Sequence, residues 1–246
     1  MKQDGYQPRD YRGWVDSHDL VPFNVAIGET DLAIYACEDL RRKAQRIVLK
    51  YRSQLESYIA GNPRFQSSLE PVPVPSHAPR IVLEMIRAGS LAGVGPMAAV
   101  AGALAEMTGR ELLAFTPEAI IENGGDIFLK VTRKRVIGIY AGNSPLTGKL
   151  GLEIEPADTP LGICTSSGTV GHSLSFGKAD AAVILSPSAL LADAAATAVC
   201  NRVKAPADID AAIGFGRSIP GVTGIVIIIG KDIGAWGKVT LCETAG

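Results

Sequence analysis

The strongest indication of the fold class is a hairpin-like segment, Ala119-Ile-Ile-Glu-Asn-Gly-Gly-Asp-Ile-Phe-Leu-Lys-Val131. Its two apolar runs predict strands at 119–122 and 127–131, separated by Glu122-Asn123-Gly124-Gly125-Asp126. Asn-Gly is a strong turn dipeptide, so the segment reads as a hairpin. The flanking runs are apolar enough to be buried, and adjacent glycines let a ligand approach the backbone. A plain turn and a ligand site are therefore both consistent with it.

Further strands and helices are predicted on both sides of this segment. A hairpin at 21–27 and 32–37 surrounds Gly28-Glu-Thr-Asp31, and the other predicted strands are 135–140, 152–154, 162–165, 181–185, 222–229 and 237–241. Helices are predicted at 38–59, 79–90, 97–107 (ended by Gly109), from Ser188 through Cys200, and at 206–213. Strands that come in runs between helices favour an α+β fold with antiparallel strands over a doubly wound sheet. We expect one domain over 1–246, with a proline-rich strap near 70–78.

Composition excludes several classes of protein. The 246 residues include 24 Lys and Arg against 25 Asp and Glu, without the basic excess of a nucleic-acid binder. The four cysteines have no CxxC spacing, which argues against a zinc ribbon or a disulfide scaffold. No apolar signal segment is visible at the N-terminus, and the uncharged stretch 88–105 is broken by glycines and Pro96. We therefore expect a cytoplasmic protein without a membrane span, and a homodimer is consistent with its Ala/Gly-rich composition.

A metal site is predicted around Asp193. It is the sole charged residue between Pro187 and Cys200, and Thr197 lies four residues later, on the same helix face. A carboxylate in an apolar helix costs several kcal/mol unless a cation or hydrogen-bond donors satisfy it. One carboxylate and one hydroxyl suit Mg²⁺, which takes further ligands from water and phosphate. The alternative is that Asp193 helps Ser188 to cap the first helical turn.

The loop Thr165-Ser166-Ser167-Gly168-Thr169-Val-Gly-His172-Ser173 offers hydroxyls and backbone N–H groups of the kind that bind phosphate or carboxylate. His172 is the candidate for proton transfer, since its ordinary pKa lies near neutrality. A hydrolase with Ser166 or Ser167 as nucleophile is disfavoured, because no G-x-S-x-G elbow is present.

Two glycine-rich segments resemble nucleotide-binding motifs only superficially. Residues 93–98 satisfy G-x-G-x-x-A, but a helix-like stretch precedes them where a dinucleotide fold needs a strand. The start of a helix at Gly95-Pro96 could instead receive an anion, or could simply be packed. Residues 142–149 are not a P-loop, because five residues separate the two glycines and Leu150 replaces the magnesium-binding hydroxyl.

Taken in chain order, three of these motifs resemble the ApbE superfamily of flavin transferases, long labelled thiamine-biosynthesis lipoproteins. They are Glu122-Asn-Gly-Gly-Asp126, Thr165-Ser-Ser-Gly168 and Ala192-Asp-Ala-Ala-Ala-Thr197-Ala. The whole chain is similar to a cytoplasmic, poorly characterised branch of ApbE-like proteins. The segments that match this branch are 28–31, 93–102, 122–126, 168–180 and 192–197.

The resemblance implies an ApbE-type α+β fold that uses FAD and Mg²⁺ to move FMN onto a threonine of an acceptor protein. It implies that Asp193 and Thr197 hold the metal. It places the flavin site at Asn123, Gly124, Gly125 and Asp126, beside a loop that contains Thr165, Ser167, Gly168 and an additional Ser166. The chain departs from the family because His172 is not followed by D-P-R-T-G and because uncharged Gly95-Pro96-Met97 replaces a basic residue.

Two functions from different classes are consistent with these residues. The first is an ApbE-like, Mg²⁺-dependent flavin or nucleotide transferase or hydrolase, in which the 165–173 loop, with Gly124 and Gly125, contacts phosphate. The second is a non-catalytic module that binds an anionic metabolite or cofactor for a partner protein. The basic helix 38–59 could dock such a partner, although a solvated helix face explains its charges equally well.

Overall fold

The computed structural model describes residues 13–170 and 175–244 of the chain. Its strands are β1 (Val21–Ile27), β2 (Thr30–Ala36), β3 (Ala119–Asn123), β4 (Asp126–Lys130), β5 (Arg135–Gly138), β6 (Leu150–Ile154), β7 (Leu161–Ser166), β8 (Ala181–Ser186), β9 (Gly224–Ile229), β10 (Asp232–Gly237) and β11 (Leu241–Glu243). Its α-helices are α1 (Arg41–Gly61), α2 (Pro63–Ser67), α3 (Arg80–Ala92), α4 (Val100–Leu112), α5 (Ala189–Cys200) and α6 (Ile209–Arg217). The predicted α+β fold with antiparallel strands is confirmed.

Two sheets and a layer of helices build the core. Eight of the described strands form an antiparallel sheet in the order β1-β2-β3-β4-β7-β8-β9-β10, and β11-β6-β5 form a smaller one. Alternate residues of β8 show how the large sheet is covered: Ile184 packs with the helices, whereas Val183 and Leu185 pack with the small sheet. Burial of both faces explains why the central strands are continuous apolar runs.

Two predicted boundaries are wrong for identifiable reasons. Gly109 does not end α4, because it lies inside the helix, where a Cβ would come within 2.2 Å of the Phe128 ring. The predicted strand 237–241 is divided between β10 and β11. Gly237 has φ +85° and a Cβ there would lie 2.2 Å from the Thr223 carbonyl oxygen, so the chain turns at this residue. The predicted helix 206–213 begins as a 3₁₀ turn and continues as α6 to Arg217.

The residues that lead into the proline-rich strap pack against the segment before α4. Leu69 accepts a hydrogen bond from the Gly95 N–H, and a Cβ on Gly95 would lie 1.8 Å from the Ser68 carbonyl oxygen. Gly95 is followed by the 3₁₀ turn Pro96–Ala99, which leads directly into α4. Within the described ranges, no single helix has both the length and the apolarity needed to cross a membrane; α3 and the segment 96–112 meet that test only jointly, across a 104° bend.

Candidate functional site

Three predicted motifs meet at the N-terminus of α4. The Gly102 N–H, in the first turn of this helix, donates to Asp193 Oδ2 at 2.9 Å. The Asn123 side-chain amide donates to the Ala101 carbonyl oxygen at 3.0 Å. The first N–H groups of a helix lack partners within the helix. Asp193 therefore supplies from α5 the acceptor that this helix end needs.

Close packing brings α5 to this position. A Cβ on Gly102 would lie 2.3 Å from the Ala189 carbonyl oxygen and 2.9 Å from the Asp193 Cβ, so only glycine permits this approach. Gly162 of β7 likewise permits a close approach of the sheet to α5, since a Cβ on Gly162 would lie 2.3 Å from the Ala189 Cα. The site is consequently built on two helices and a sheet in direct backbone contact.

A second carboxyl group lies beside Asp193. Asp126 is the first residue of β4, in register with Cys164 of β7, and it is 8% exposed. Its Oδ1 is buried and has no hydrogen-bond partner among the described residues. Because a buried polar atom without a partner is costly, this oxygen marks a place where a ligand atom could bind.

The electrostatics of the pair follow from burial and like charge. Burial, and then the neighbouring Asp193 charge, raise the pKa of Asp126 well above its ordinary value. Burial also raises the pKa of Asp193 to about 7, against the lowering effect of the Gly102 and Ala101 N–H groups. The Cys164 thiol between β4 and α5 has a raised pKa, first from burial and then from the charge of Asp126. Burial and proximity thus oppose negative charge on both carboxyl groups at the same time when no cation is bound.

The donor set fits an open magnesium site better than a closed metal centre. No group of three or more His, Cys, Asp or Glu side chains is arranged to hold a metal within residues 13–170 and 175–244. Mg²⁺ in enzymes is often held by one or two carboxylates, with waters and substrate phosphates completing its shell. Asp193 and the partnerless oxygen of Asp126 provide such carboxylates. The Thr197 hydroxyl, one turn after Asp193, hydrogen-bonds no other described residue and stays available.

The Asn123-Gly124-Gly125-Asp126 segment is both a turn and part of this site. Asn123 pairs with Asp126 across the hairpin, and both glycines have positive φ, +67° and +103°. The Glu122 carboxylate accepts the Gly125 N–H at 2.8 Å, which stabilises the turn. A Cβ on Gly124 would meet no atom of a described residue within 4 Å, so the backbone there is open to an approaching ligand.

The 165–169 loop is close to the site but satisfies its own polar groups. The Ser167 hydroxyl accepts N–H groups from Thr169 and Val170, and the Thr169 hydroxyl donates to Asp180 at 2.8 Å. A Cβ on Gly168 would lie 2.2 Å from the Gly177 carbonyl oxygen, which ties the loop to 177–180. In the described conformation these donors are already used within the loop.

The first two residues of this loop belong to different faces of the sheet. Thr165 is in register with Val183, which packs with the small sheet, so its side chain lies on the face away from α5. Ser166 is in register with Ala182, which packs with the helices, so its side chain lies on the helix side of the sheet, near the Cys200 thiol whose pKa it lowers. His172, the predicted catalytic residue, lies outside the described residues.

Sequence reasoning missed Glu106, which caps α5. Its Oε2 accepts N–H groups from Ala189 at 2.6 Å and Leu190 at 3.4 Å, and the Ser188 hydroxyl at 3.0 Å. The Ser188 hydroxyl also accepts the Leu191 N–H. The alternative role for Asp193, a cap for its own helix, is therefore wrong, because Ser188 and Glu106 occupy that position. The repeated pattern Gly102-Ala-Leu-Ala-Glu106 and Ala189-Leu-Leu-Ala-Asp193 was the signal for this pair.

Comparison with known proteins identifies the family. The family described as "AbpE bacteria" matches residues 12–233. The chain belongs to this family. It is 47% identical over 213 residues to a UPF0280 protein of Methanocella arvoryzae, with 86% of each chain covered. It is 45% identical over 203 residues to UPF0280 protein MJ1526 of Methanocaldococcus jannaschii, with 80% of this chain and 82% of the relative covered.

Two solved structures share the fold. The apo form of the Pseudomonas stutzeri flavinyl transferase ApbE superimposes with a TM-score of 0.59 and 12% identity, over 89% of this chain and 94% of that one. The flavin transferase ApbE of Vibrio cholerae gives a TM-score of 0.58 and 12% identity, over 89% and 96%. At this identity the likeness establishes the ApbE fold, and the predicted resemblance to the ApbE superfamily is confirmed.

Proposed function

We propose that this family member is a Mg²⁺-dependent enzyme that binds FAD or a related nucleotide, cleaves its pyrophosphate and transfers FMN to an acceptor. The observation that carries the proposal is the position of Asp193 on the α4 N-terminus, beside the partnerless oxygen of buried Asp126. The shared fold of the flavin transferases supports the choice of substrate.

The chain's own residues would have separate roles in binding the ion and the nucleotide. Asp193 binds the ion, with the Thr197 hydroxyl one helical turn away as a further ligand. The ion, when bound, would polarise a phosphoryl oxygen and neutralise charge that develops on the leaving phosphate. Asn123 holds the β3–β4 turn against α4, and Gly124 and Gly125 leave the backbone open to the nucleotide. His172 remains the predicted residue for proton transfer.

The test uses purified full-length chain with FAD and MgCl₂, and follows AMP and FMN by chromatography, with and without a threonine-containing acceptor protein. We expect AMP release that requires Mg²⁺ and is lost in Asp193→Asn. Asp232→Asn, which changes an exposed carboxylate at the start of β10, is the matched control and should leave the rate unchanged. No AMP release from the wild-type chain, or equal rates in all three proteins, would reject an enzymatic role for this site.

A second function has one specific observation in its favour. The hydroxyl and N–H groups of the 167–169 loop are bonded within the loop and to Asp180, so they do not point at a substrate phosphate in this conformation. A non-catalytic module that binds a cofactor at the open Gly124 backbone, without clamping a reacting phosphate, does not need these donors. Tight FAD binding without AMP release identifies that function.

A further inference from the structure

The site around Asp193 contains negative side chains without a basic counter-charge from the elements that frame it. Elsewhere in the described chain, buried carboxylates have arginine partners: Glu106 pairs with Arg110 and Glu118 with Arg135. Asp126 and Asp193 form no such pair with a described lysine or arginine, and the nearest charges on Asp126 are those of Asp193 and Glu122.

The sequence of the framing elements accounts for this imbalance. Residues 88–105, which include the 3₁₀ turn and the first turn of α4, carry no charged residue. Helix α5 carries only Asp193, and the segment 119–129 carries only Glu122 and Asp126. The positive end of the α4 dipole lies at the site, and the Gly102 N–H in its first turn donates to Asp193.

We propose that Asp126 is a second carboxylate ligand of the divalent cation held by Asp193, and that the site accepts a phosphate group only together with that ion. The geometry supports this role because the Asp126 carboxyl is more than nine-tenths buried and has one oxygen without a partner among the described residues. Asp126 is also in register with Cys164, whose thiol bonds the Ala189 carbonyl oxygen one turn before Asp193. A cation between the two carboxylates removes their repulsion and supplies the positive charge that a phosphate needs. The phosphate ligand is the part of this inference that depends on the proposed function.

The first experiment measures Mn²⁺ binding by the electron paramagnetic resonance signal of the free ion, without nucleotide. We expect the wild-type chain to bind one ion, and Asp126→Asn and Asp193→Asn to weaken binding about tenfold or more. Asp232→Asn is the exposed carboxylate control and should bind like wild type. Asparagine keeps the shape of aspartate, and a thermal melt of each variant shows that it is folded. Wild-type affinity in folded Asp126→Asn overturns the role of Asp126.

The second experiment measures ADP binding by calorimetry with and without Mn²⁺. We expect binding only when the ion is present, and its loss in Asp126→Asn. Equal ADP affinity with and without the ion overturns the requirement for a metal complex. If Mn²⁺ and ADP bind together but FAD is never cleaved, the proposed enzymatic function fails and this inference stands, so the two failures are distinguishable.

Discussion

The N-termini of α4 and α5 are both capped by a carboxylate from the other helix, but the two carboxylates have different neighbours. Each receives a carboxylate from the other helix: Asp193 of α5 accepts the Gly102 N–H, and Glu106 of α4 accepts the Ala189 N–H. Each carboxylate follows, by four residues, the small residue at which the helices touch. Their surroundings differ, because Glu106 Oε1 also accepts from Arg110 at 2.7 Å, whereas Asp193 faces Asp126.

The difference separates a structural carboxylate from a functional one. Glu106 has both oxygens bonded and its charge balanced by Arg110, a partner that reaches the surface, so Glu106 acts as a helix cap. Asp193 has the same backbone environment but a like-charged neighbour, an arrangement that costs stability in the absence of a cation. Sites that sacrifice local stability in this way are frequently functional.

The largest loss of stability should follow from removal of Glu106, the carboxylate whose oxygens are both hydrogen-bonded. Glu106→Ala removes the cap of α5 and leaves the buried N–H groups of Ala189 and Leu190 without their acceptor, so we expect a loss of about 2–4 kcal/mol in the free energy of unfolding. Urea denaturation measures it. Glu84→Ala, which breaks the exposed pair with Arg80, is the control and should cost less than about 1 kcal/mol. Similar losses in both variants would contradict the assignment of Glu106.

The contact between the helices should be the next most sensitive. Gly102→Ala places a Cβ 2.3 Å from the Ala189 carbonyl oxygen, and the displaced helix should cost about 1–3 kcal/mol. Gly214→Ala in α6 meets no atom within 4 Å and should stabilise the protein by about 0.5–1 kcal/mol. The expected changes in the free energy of unfolding thus have opposite signs in the two variants. Chemical denaturation that showed increased stability for both would refute the close approach of α4 to α5 at Gly102.

A smaller effect should appear in the pH dependence of the metal-free protein. The pKa of Asp193 is 3.8 ordinarily and about 7 in the fold, so the folded state binds more protons between these values. The contribution of Asp193 to stability is therefore fully present below about pH 4, decreases as pH rises, and is lost above about pH 7. Thermal melts in EDTA across pH 4–8 measure this slope.

Substitution of Asp126 and addition of Mn²⁺ test whether Asp126 and Asp193 cause this pH dependence of stability. Asp126→Asn removes a second buried carboxyl whose pKa is raised, and with it that group's share of the pH dependence, so the slope should become shallower and the midpoint at pH 8 should lie several degrees above wild type. Mn²⁺ should raise the wild-type midpoint at pH 8 but not that of Asp126→Asn. A slope unchanged by Asp126→Asn would show that other groups control it.

The smallest effect on stability should come from Thr197→Val. The Thr197 hydroxyl bonds no other described residue, so an isosteric methyl group should change the free energy of unfolding by less than about 0.5 kcal/mol. Mn²⁺ affinity should nevertheless fall several-fold, because a ligand is lost. A stability loss above 1 kcal/mol with unchanged Mn²⁺ affinity would assign this residue to packing.

The local elements follow from neighbouring residues in the sequence. Two continuous apolar runs around Asn-Gly predict the β3–β4 hairpin, and Pro187-Ser188 predicts the start of α5, because turn and cap chemistry involve only neighbouring residues. The single charge in α5 also indicated the residue on which the site is built.

The surroundings of Asp193 depend on contacts between elements that are distant in sequence. Asp193 finds its N–H partner 91 residues away in sequence, and the like charge of Asp126 comes from a third element. Gly109 was predicted to end a helix, yet it lies inside α4 to admit the Phe128 ring. These outcomes depend on backbone-to-backbone approach between distant elements, and periodicity along the chain contains no information about the distance between them.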